Sequence, residues 1–527
     1  MSMSLLRHGL ALVLLLMPAL ALAGTSAKGR VWLDANGNGL RDLGERGVAG
    51  VKLSNGRDIA LTDEAGRYRI ALREGDTLFV IKPSGYRFPT SAAGLPVFWK
   101  HHFPNGSPAL RYGRMPPSNA RRTDFALLPH AEENGESFEV LVLADPQMKD
   151  LREMDFYARS IVEPARRHQG IALGLTLGDL VNDALDLYPE LNRHHATLGI
   201  PWLHAPGNHD IDFDVSDDAA SLNTYRRTFG PDTVAWEMPG HAFIALDDVI
   251  YRPGQRPAYI GGLRDEQFTF LETYLATLPA ETRVVMSFHI PLFDDPDETF
   301  RHADRARLFG LLQRFHAPLI LSGHTHTQRH HFHGAEVGWN GVSPLHEYNV
   351  GAACGGYWSG LTDAEGLPDA RMEDGSPNGY ARVRFDAQGV TTRYHASRGR
   401  DGVRIGLTSP GVLRHGAYPA YPVLANVYAA EADAVVTYRI DGGPWQPMVR
   451  IFEPDPELLA INIADARADH LRSYDRAVVA RSTSHLWSAR VPTDLAVGEH
   501  RIEVRAQSRY EGELQASTTY HLVDWDN

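Results

Sequence analysis

Several short polar segments in the middle of the chain carry carboxylate, amide and imidazole groups, which bind divalent metal ions of the zinc, manganese and iron type. Functional residues of an α/β sheet lie at the carboxyl ends of its strands, where the loops meet a crevice. Segments far apart in the sequence are therefore expected to converge on one site. The segments are Asp145-Pro146-Gln147, Gly178-Asp179, Gly207-Asn208-His209-Asp210, His289 and Gly323-His324-Thr325-His326.

The side chains themselves suggest how two ions could be held. The two carboxylate oxygens of Asp179 could bridge a pair of ions, and Asn208 offers a neutral carbonyl oxygen. His324 and His326 are two positions apart, so they point to the same side of an extended segment. Two ions ~3.5–4 Å apart form the clamp that many phosphatases and nucleases use. Each segment alone is commonplace, but the ordered set beside predicted strands indicates a binuclear site.

Apolar runs and helical patterns alternate around these segments and predict an α/β layer fold over residues 137–398. The predicted strands are Phe138 to Ala144, Ile171 to Leu177, Val284 to Phe288 and Leu319 to Leu321. The predicted helices are Leu151 to Arg167, Asp265 to Leu278 and Asp304 to Phe315.

Both flanks of this core are predicted to be all-β domains. Short strands and Gly-containing turns fill residues 24–130, and His130 to Glu136 is a polar linker. Residues 401–527 return to strands, such as Ala434 to Ile440 and Glu499 to Ala506, and predict a β-sandwich of immunoglobulin or fibronectin type. The predicted fold class is thus an α/β core flanked by two all-β domains.

Length and charge set the limits on function. A chain of 527 residues with 43% hydrophobic content predicts two to four globular domains. The net charge of −13 argues against a nucleic-acid-binding surface, which needs a basic face. It does not argue against a phosphorylated substrate, because bound metals set the local field.

The N-terminus has the features of a cleavable signal peptide over residues 1–23. Arg7 precedes the apolar stretch Leu10 to Leu20, and Ala21-Leu22-Ala23 is a small-residue cleavage site. Cys354 is the only cysteine, so the cleavage site has no lipid-attachment cysteine. We expect a periplasmic or secreted protein without a transmembrane segment in its mature form.

Residues 34–45 fit the twelve-residue calcium-loop pattern D-x-[DN]-x-[DN]-G-x5-E. Its flanks are strand-like, as in calcium-binding β-domains of bacterial surface proteins, and an Asn/Gly turn without an ion is the alternative. The predicted calcium ligands are Asp34, Asn36, Asn38, Asp42, Glu45 and the backbone carbonyl of Leu40.

The ordered polar segments of the core resemble the calcineurin-like metallophosphoesterase superfamily. The resemblance implies an αββα sandwich with two divalent metals of the Mn, Fe or Zn type. It places one metal on Asp145, Asp179 and His326, with Gln147 as a further ligand, and the second on Asp179, Asn208, His289 and His324. It makes His209 the catalytic histidine, with Asp210 its neighbour in the motif.

Two positions depart from the superfamily pattern. Gln147 stands where the first motif, Asp-x-His, has its histidine, and Asn182 stands where the phosphatase form Gly-Asp-x-x-Asp has its third aspartate. Asn182 or the following Asp183 would orient His209, and spacing does not decide between them. Some exported bacterial members have a small β-domain on either side of the core and share segments like Gly351 to Gly360 and Asp374 to Tyr380.

The expected function is therefore an exported binuclear-metal phosphoesterase. A hydroxide between the metals would attack phosphorus in line, and His209 would act as general acid. The substrate would be a phosphorylated small molecule, lipid or glycan, and no protein partner is inferred. The alternatives are a phosphodiesterase acting on a cyclic nucleotide or lipid headgroup, and a non-catalytic binding protein on a relic core.

Overall fold

The computed structural model describes residues 25–130, 137–293, 299–398, 400, 402–418 and 421–525. The predicted signal peptide, residues 1–23, and most of the predicted linker, residues 131–136, lie outside this range. Among the described helices, none combines the length and the apolar character that a membrane crossing requires.

The N-terminal region, residues 25–130, consists of two four-stranded sheets. Their strand orders are β4-β1-β8-β6 and β3-β2-β5-β7, where the strands are β1 (Thr25–Leu33), β2 (Lys52–Ser54), β3 (Ile59–Leu61), β4 (Arg67–Leu72), β5 (Thr77–Val80), β6 (Tyr86–Arg87), β7 (Trp99–His101) and β8 (Phe125–Pro129). Side chains of β4 alternate between buried and exposed, as in a strand with one face on a core.

The central region, residues 137–398, alternates strands and helices. Its strands are β9 (Phe138–Leu143), β10 (Ile171–Leu177), β11 (Trp202–Ala205), β12 (Thr233–Met238), β13 (His241–Leu246), β14 (Val249–Tyr251), β15 (Tyr259–Gly261), β16 (Arg283–Ser287), β17 (Leu319–Ser322), β18 (Arg329–His333), β19 (Leu345–Asn349), β20 (Gly379–Asp386) and β21 (Gly389–Ala396). Its α-helices are α1 (Leu151–Tyr157), α2 (Glu163–Ala165), α3 (Tyr188–Ala196), α4 (Asn223–Phe229), α5 (Asp265–Leu275) and α6 (His302–Leu312).

Two sheets of the central region pack face to face. One has the order β11-β10-β9-β20-β21, the other β12-β13-β16-β17-β19-β18, and β14 pairs with β15. Apolar side chains fill the space between them; for example, the rings of Phe138 and Phe243 lie 6.1 Å apart. Helices flank the pair, since Gln267 of α5 donates to Thr233 of β12 at 2.9 Å and a π-helical turn, Ala158–Val162, packs on β20. The predicted α/β fold is confirmed.

The strands that position the polar segments run parallel. In one sheet β10 pairs with β9 and β11, and in the other β16 pairs with β17, all in parallel. Fully buried Val, Leu and Ile side chains line them, as expected for parallel strands covered on both faces. Their carboxyl ends therefore meet along one rim of the sandwich.

The C-terminal region, residues 400–525, has its own pair of sheets, with orders β22-β24-β28-β27 and β23-β30-β29-β25-β26. Its elements are β22 (Ile405–Thr408), β23 (Val412–Arg414), β24 (Pro422–Val427), β25 (Val435–Ile440), β26 (Gln446–Pro447), β27 (Val449–Pro454), α7 (Pro456–Arg467), β28 (Ser482–Arg490), β29 (Gly498–Ser508) and β30 (Gly512–Val523). Helix α7 departs from the prediction, which had only strands beyond residue 400. The Asp455 carboxylate caps it by accepting from the Leu458 amide at 2.9 Å, and Pro456 occupies its first turn.

Candidate metal centre

The rim of the sandwich brings all the predicted metal-ligating residues of the core together. Oxygen and nitrogen atoms of Asp145, Asp179 and His289 all lie within 4.8 Å of one another. His289 Nε2 is 3.4 Å from Asp179 Oδ2, 3.0 Å from Asn208 Oδ1 and 3.1 Å from His324 Nδ1. On the other side, His326 Nε2 lies 3.6 Å from Asp145 Oδ1. Asp179 thus sits between two groups of donors.

This donor set fits divalent cations. Two ligand atoms that each lie ~2.1 Å from the same ion are ~3.0 Å apart in octahedral coordination and ~3.4 Å apart in tetrahedral coordination. Most of the interatomic distances given above lie in this range. Asp145 and His289 are completely buried, and buried charges are retained only when paired or when they coordinate a metal. Carboxylate, amide and imidazole ligands together suit Mn, Fe or Zn better than a purely oxygen-binding ion.

The electrostatics of the cluster favour positive charge at its centre. Burial works against a charged His289, but the carboxylates of Asp179 and Asp145 outweigh it and raise its pKa to about 10. Burial also disfavours the charged form of Asp179, yet His289 and His209 hold its pKa below the usual value. Burial and the neighbouring His289 lower the pKa of His324 to about 3, which leaves it in the neutral form that binds metals.

The backbone is strained at the residues that face this cluster. A positive φ is uncommon for residues other than glycine, costs of order 1–3 kcal/mol and concentrates at functional sites. At this site the positive φ turns the chain sharply just after a strand, and the side chain of the residue therefore faces the rim. The residues concerned are Asp145 (φ 47°), Gln147 (50°), Asp179 (49°), His324 (71°) and His326 (50°).

His209 lies at the edge of the cluster with its side chain about one-third exposed. Its backbone amide donates to Asp179 Oδ1 at 2.8 Å, and its Nδ1 lies 2.9 Å from Asp183 Oδ1. Burial lowers the pKa of His209, but Asp179 and Asp183 outweigh burial and raise it. Between the alternatives left open by spacing, the structure therefore places Asp183, not Asn182, against His209.

Three family models match successive parts of the chain. "N terminal of Calcineurin-like phosphoesterase" matches residues 35–111, "Calcineurin-like phosphoesterase" matches residues 138–328, and "C terminal of Calcineurin-like phosphoesterase" matches residues 347–513. The whole metal centre lies within the central match. The chain belongs to the calcineurin-like phosphoesterases. It is accordingly a metal-dependent hydrolase of phosphoric esters.

Other comparisons are distant. The search of curated proteins gave no significant match. Among solved structures, the purple acid phosphatase PPD1 isolated from yellow lupin (Lupinus luteus) seeds is 10% identical, with a TM-score of 0.34, and the match covers 66% of this chain and 67% of that chain.

Asp210 holds the loops of the phosphoesterase together. It is fully buried, and its carboxylate accepts from the amides of Gly207 at 2.8 Å and Leu180 at 3.1 Å and from the hydroxyl of Tyr188 at 2.9 Å. Burial and the nearby Asp179 raise its pKa to about 7. These contacts join the loops that follow β10 and β11, so Asp210 positions the neighbouring His209.

Gln147 touches the cluster through its side-chain amide. Its Nε2 donates to Asp179 Oδ2 at 3.1 Å, and its Oε1 accepts from the Cys354 thiol at 3.4 Å. In this arrangement the amide nitrogen orients the Asp179 carboxylate, whereas the predicted metal ligand would be the amide oxygen. Burial raises the pKa of the Cys354 thiol, which suits a packing residue better than a nucleophile.

The segment Gly351 to Gly360 wraps around the first metal-binding loop. The Cys354 amide donates to the Asp145 carbonyl at 3.1 Å, and the Trp358 indole donates to the Pro146 carbonyl at 2.9 Å. His326 Nδ1 lies 2.7 Å from the carbonyl of Gly356, which fixes the ring so that Nε2 faces Asp145. Carbonyl partners of this kind orient metal-ligating imidazoles.

Sequence reasoning missed Asp248, which anchors the loop that carries His289. Asp248 is fully buried, and its carboxylate accepts from the amides of His289 at 3.0 Å and Ile290 at 2.9 Å. The signal was present in the sequence, because Asp247-Asp248 directly follows the apolar strand β13, as the other polar segments follow theirs.

The predicted calcium ligands also converge. The carboxylate of Asp34 is buried and accepts from the amides of Gly37 at 2.8 Å and Gly39 at 2.8 Å. The side-chain amides of Asn36 and Asn38 both donate to Asp42 Oδ2 at 2.8 Å, and Glu45 accepts from the Asp42 amide at 2.9 Å. Leu40 donates its amide to Asn38 Oδ1 at 2.7 Å. The loop thus brings these side chains together through hydrogen bonds in which the Asn36 and Asn38 amide nitrogens face Asp42, and their side-chain oxygens accept from backbone amides.

Proposed function

We propose that this protein hydrolyses phosphate monoesters at a binuclear centre. One ion would be held by Asp145, Asp179 and His326, and the other by Asp179, Asn208, His289 and His324. Bound ions would supply an activated water and neutralise charge on the phosphoryl oxygens. The convergence of five other ligand side chains, from two sheets, around Asp179 is the observation that supports this most strongly.

The residues of the chain have distinct parts in this proposal. His209 protonates the leaving oxygen, for which its raised pKa and its hydrogen bond to Asp183 prepare it. Asn208 lies beside His289 and donates its amide hydrogens toward the phosphoryl oxygens. Asp210, Asp248 and Gln147 position these groups through the hydrogen bonds described above.

Two substitutions separate metal binding from proton transfer. We expect Asp179→Asn to lose metal and at least about 10³-fold in activity, because it removes the carboxylate shared by both ions. We expect His209→Ala to keep its metals and lose about 10²–10⁴-fold in turnover on p-nitrophenyl phosphate, the usual contribution of acid catalysis. Metal analysis and steady-state kinetics on the same preparations check both. Loss of metal from His209→Ala would contradict its role.

The alternatives make different predictions for the same protein. A phosphodiesterase would hydrolyse bis-p-nitrophenyl phosphate faster than the monoester. A binding protein on a relic core would bind metals and phosphate without turnover of either ester. The presence of Asp179, Asn208 and the core histidines favours catalysis, and Gln147 in place of a histidine is the one feature that favours a relic core.

We also propose that the enzyme acts outside the cytoplasm. The positive n-region, apolar stretch and Ala-x-Ala site of residues 1–23 support export. N-terminal sequencing of the protein from fractionated cells should give a mature start near Gly24. A full-length protein in the cytoplasmic fraction would exclude export.

A second proposal is that residues 34–45 bind calcium. The full ligand pattern and the gathering of its side chains in the structure support it. Calorimetric titration of the full chain should show calcium binding that Glu45→Gln abolishes, while metal content at the catalytic centre stays the same. Equal heats for the two proteins would mean that this loop binds no calcium.

A further inference from the structure

A cleft of about 450 Å³ opens directly beside the metal centre. Gln147, Asn182 and Tyr357 line it on the side of the central region. The opposite side is formed by residues 475–479 and Arg481, which belong to the C-terminal region. We call residues 474–481 the C-terminal wall. The cleft thus lies between the metal-binding loops and a segment that is far from them in sequence.

Helix α7 holds the C-terminal wall in place. The side-chain amide of Asn462 forms two hydrogen bonds to the backbone of the wall. Its Nδ2 donates to the Val478 carbonyl at 2.8 Å, and its Oδ1 accepts from the Ala480 amide at 2.8 Å. Asp465 accepts from the Ala477 amide at 3.1 Å. These side-chain hydrogen bonds give an irregular segment the fixed backbone that a binding surface requires.

The other face of the wall is joined to the segment that wraps the metal loops. A Cβ on Gly356 would lie 2.5 Å from Val478 Cγ2, so only glycine permits this close approach. The Gly360 amide donates to the Asp475 carbonyl at 3.2 Å, and the Tyr474 hydroxyl donates to Glu153 at 3.2 Å. The C-terminal wall is therefore tied to the active-site rim, not merely near it.

The lining of the cleft alternates positive and negative side chains. Lys149 Nζ pairs with Glu153 at 2.9 Å, and Arg481 pairs with Glu373 at 2.8 Å. The side chains of Arg476 and Asp475 are exposed and form no ion pair within the part of the chain that the structure describes. Four of these charged groups are already paired with one another, so the exposed Asp475 carboxylate and Arg476 guanidinium are the two left for a ligand, and a ligand with both hydrogen-bond donors and acceptors matches them better than a purely anionic or purely apolar one.

Tyr357 adds a flat apolar face. Its side chain is 59% exposed, and its ring lies 6.1 Å from the ring of His326, a member of the metal cluster. A ring held by the substrate next to its phosphate could stack on this face. Hydroxyl groups both donate and accept hydrogen bonds, so they can satisfy Arg476 and Asp475 at once.

From these observations we infer that the cleft binds the leaving group of the phosphate ester, and that this group is a hydroxyl-rich ring of the sugar class. Tyr357, Asp475 and Arg476 determine the specificity, and α7 positions the wall that carries two of them. The inference rests on the proposed monoesterase function and adds the identity of the leaving group.

The test compares two esters with similar primary alkoxide leaving groups, glucose 6-phosphate and ethyl phosphate. The wild type should prefer the sugar ester by about a hundredfold in kcat/KM. Arg476→Ala and Tyr357→Ala should each lower this preference about tenfold, because each removes one charged hydrogen bond or one stacking contact. Arg467→Ala, an exposed arginine at the end of α7 outside the cleft, is the matched control and should keep the wild-type preference.

A wild type that hydrolyses p-nitrophenyl phosphate but shows no preference for the sugar ester would overturn the inference and leave the proposed function intact. Variants that lower kcat/KM equally for glucose 6-phosphate and for ethyl phosphate would also overturn it. Absence of turnover on every ester would instead count against the proposed function. In that case calorimetric titration with a hexose phosphonate still reports on the cleft: binding that Arg476→Ala weakens supports the site, and no binding overturns it.

Discussion

The two flanking regions are both built of β-sheets but are attached to the central region in different ways. The N-terminal region shares one continuous hydrophobic core with it. Phe79 of β5 packs on Phe270 of α5 with ring centroids 6.1 Å apart, and Phe98 packs on Trp236 at 5.8 Å. The C-terminal region has a separate core of its own.

Polar contacts cross the junction with the C-terminal region, beside ring contacts such as that of Tyr474 with Phe156. Buried His485 lies 3.1 Å from Asp374, and Arg371 pairs with Glu457 at 2.7 Å. A region with its own core can present loops to a site while its fold is maintained elsewhere, and loops on a fixed scaffold commonly carry specificity. We therefore propose a division in which the N-terminal region, through the shared core, stabilises the fold that carries the centre, and the C-terminal region selects the leaving group.

The strongest test of this division is Phe79→Ala. Phe79 is fully buried in the shared core, and truncating a buried Phe costs about 3–5 kcal/mol. We expect guanidinium denaturation to show the N-terminal and central regions unfolding together at lower denaturant, with activity on p-nitrophenyl phosphate lost in the same transition. Leu61→Ala, at a 59% exposed position of the same region, should change little. Retention of activity after the N-terminal region has unfolded would show that the centre does not depend on this region for its stability.

Ile502→Ala is the corresponding change in the separate core. Ile502 is fully buried among the side chains of that core, so its truncation should cost about 2–5 kcal/mol. We expect hydrogen exchange to rise in β25, β29 and β30 and to stay unchanged in β9, β10 and β16. Exchange that rises equally in both sets of strands would show that the two cores unfold as one unit.

The sequence was sufficient to predict the strands that carry the centre. Uninterrupted apolar runs such as Ile171–Leu177 can be recognised because both faces of a parallel strand are buried. The polar residues after those runs then converge by the geometry of the sheet. Asp145, Asp179 and His289 came together for that reason.

Helix α7 and the choice of Asp183 over Asn182 could not be predicted in the same way. Apolar residues of α7 do recur at helical spacing, as Leu458 with Ile461 and Leu459 with Ile463, but of these only Leu458 is buried, so the pattern does not mark a face packed on a core. The cap at Asp455-Pro456 was the available signal. Asp183, not Asn182, contacts His209 because the chain turns at Asp183 with a positive φ of 57°. Tertiary contacts impose this turn, and the spacing of residues in the sequence does not reveal it.

A smaller and more local effect is expected from Asp465→Ala. Asp465 is 9% exposed and accepts from the Ala477 amide and, at 3.1 Å, from Arg472. Its loss should cost about 1–3 kcal/mol locally, because the part-buried Ala477 amide and the Arg472 guanidinium lose their charged partner, and should loosen the C-terminal wall without disturbing the metal cluster. We expect KM for glucose 6-phosphate to rise several-fold while kcat on p-nitrophenyl phosphate stays within about twofold. Asp469→Ala, an exposed aspartate just beyond α7, is the control. Equal losses on both esters would mean that α7 supports the whole centre, and the division between the two flanking regions would then not hold.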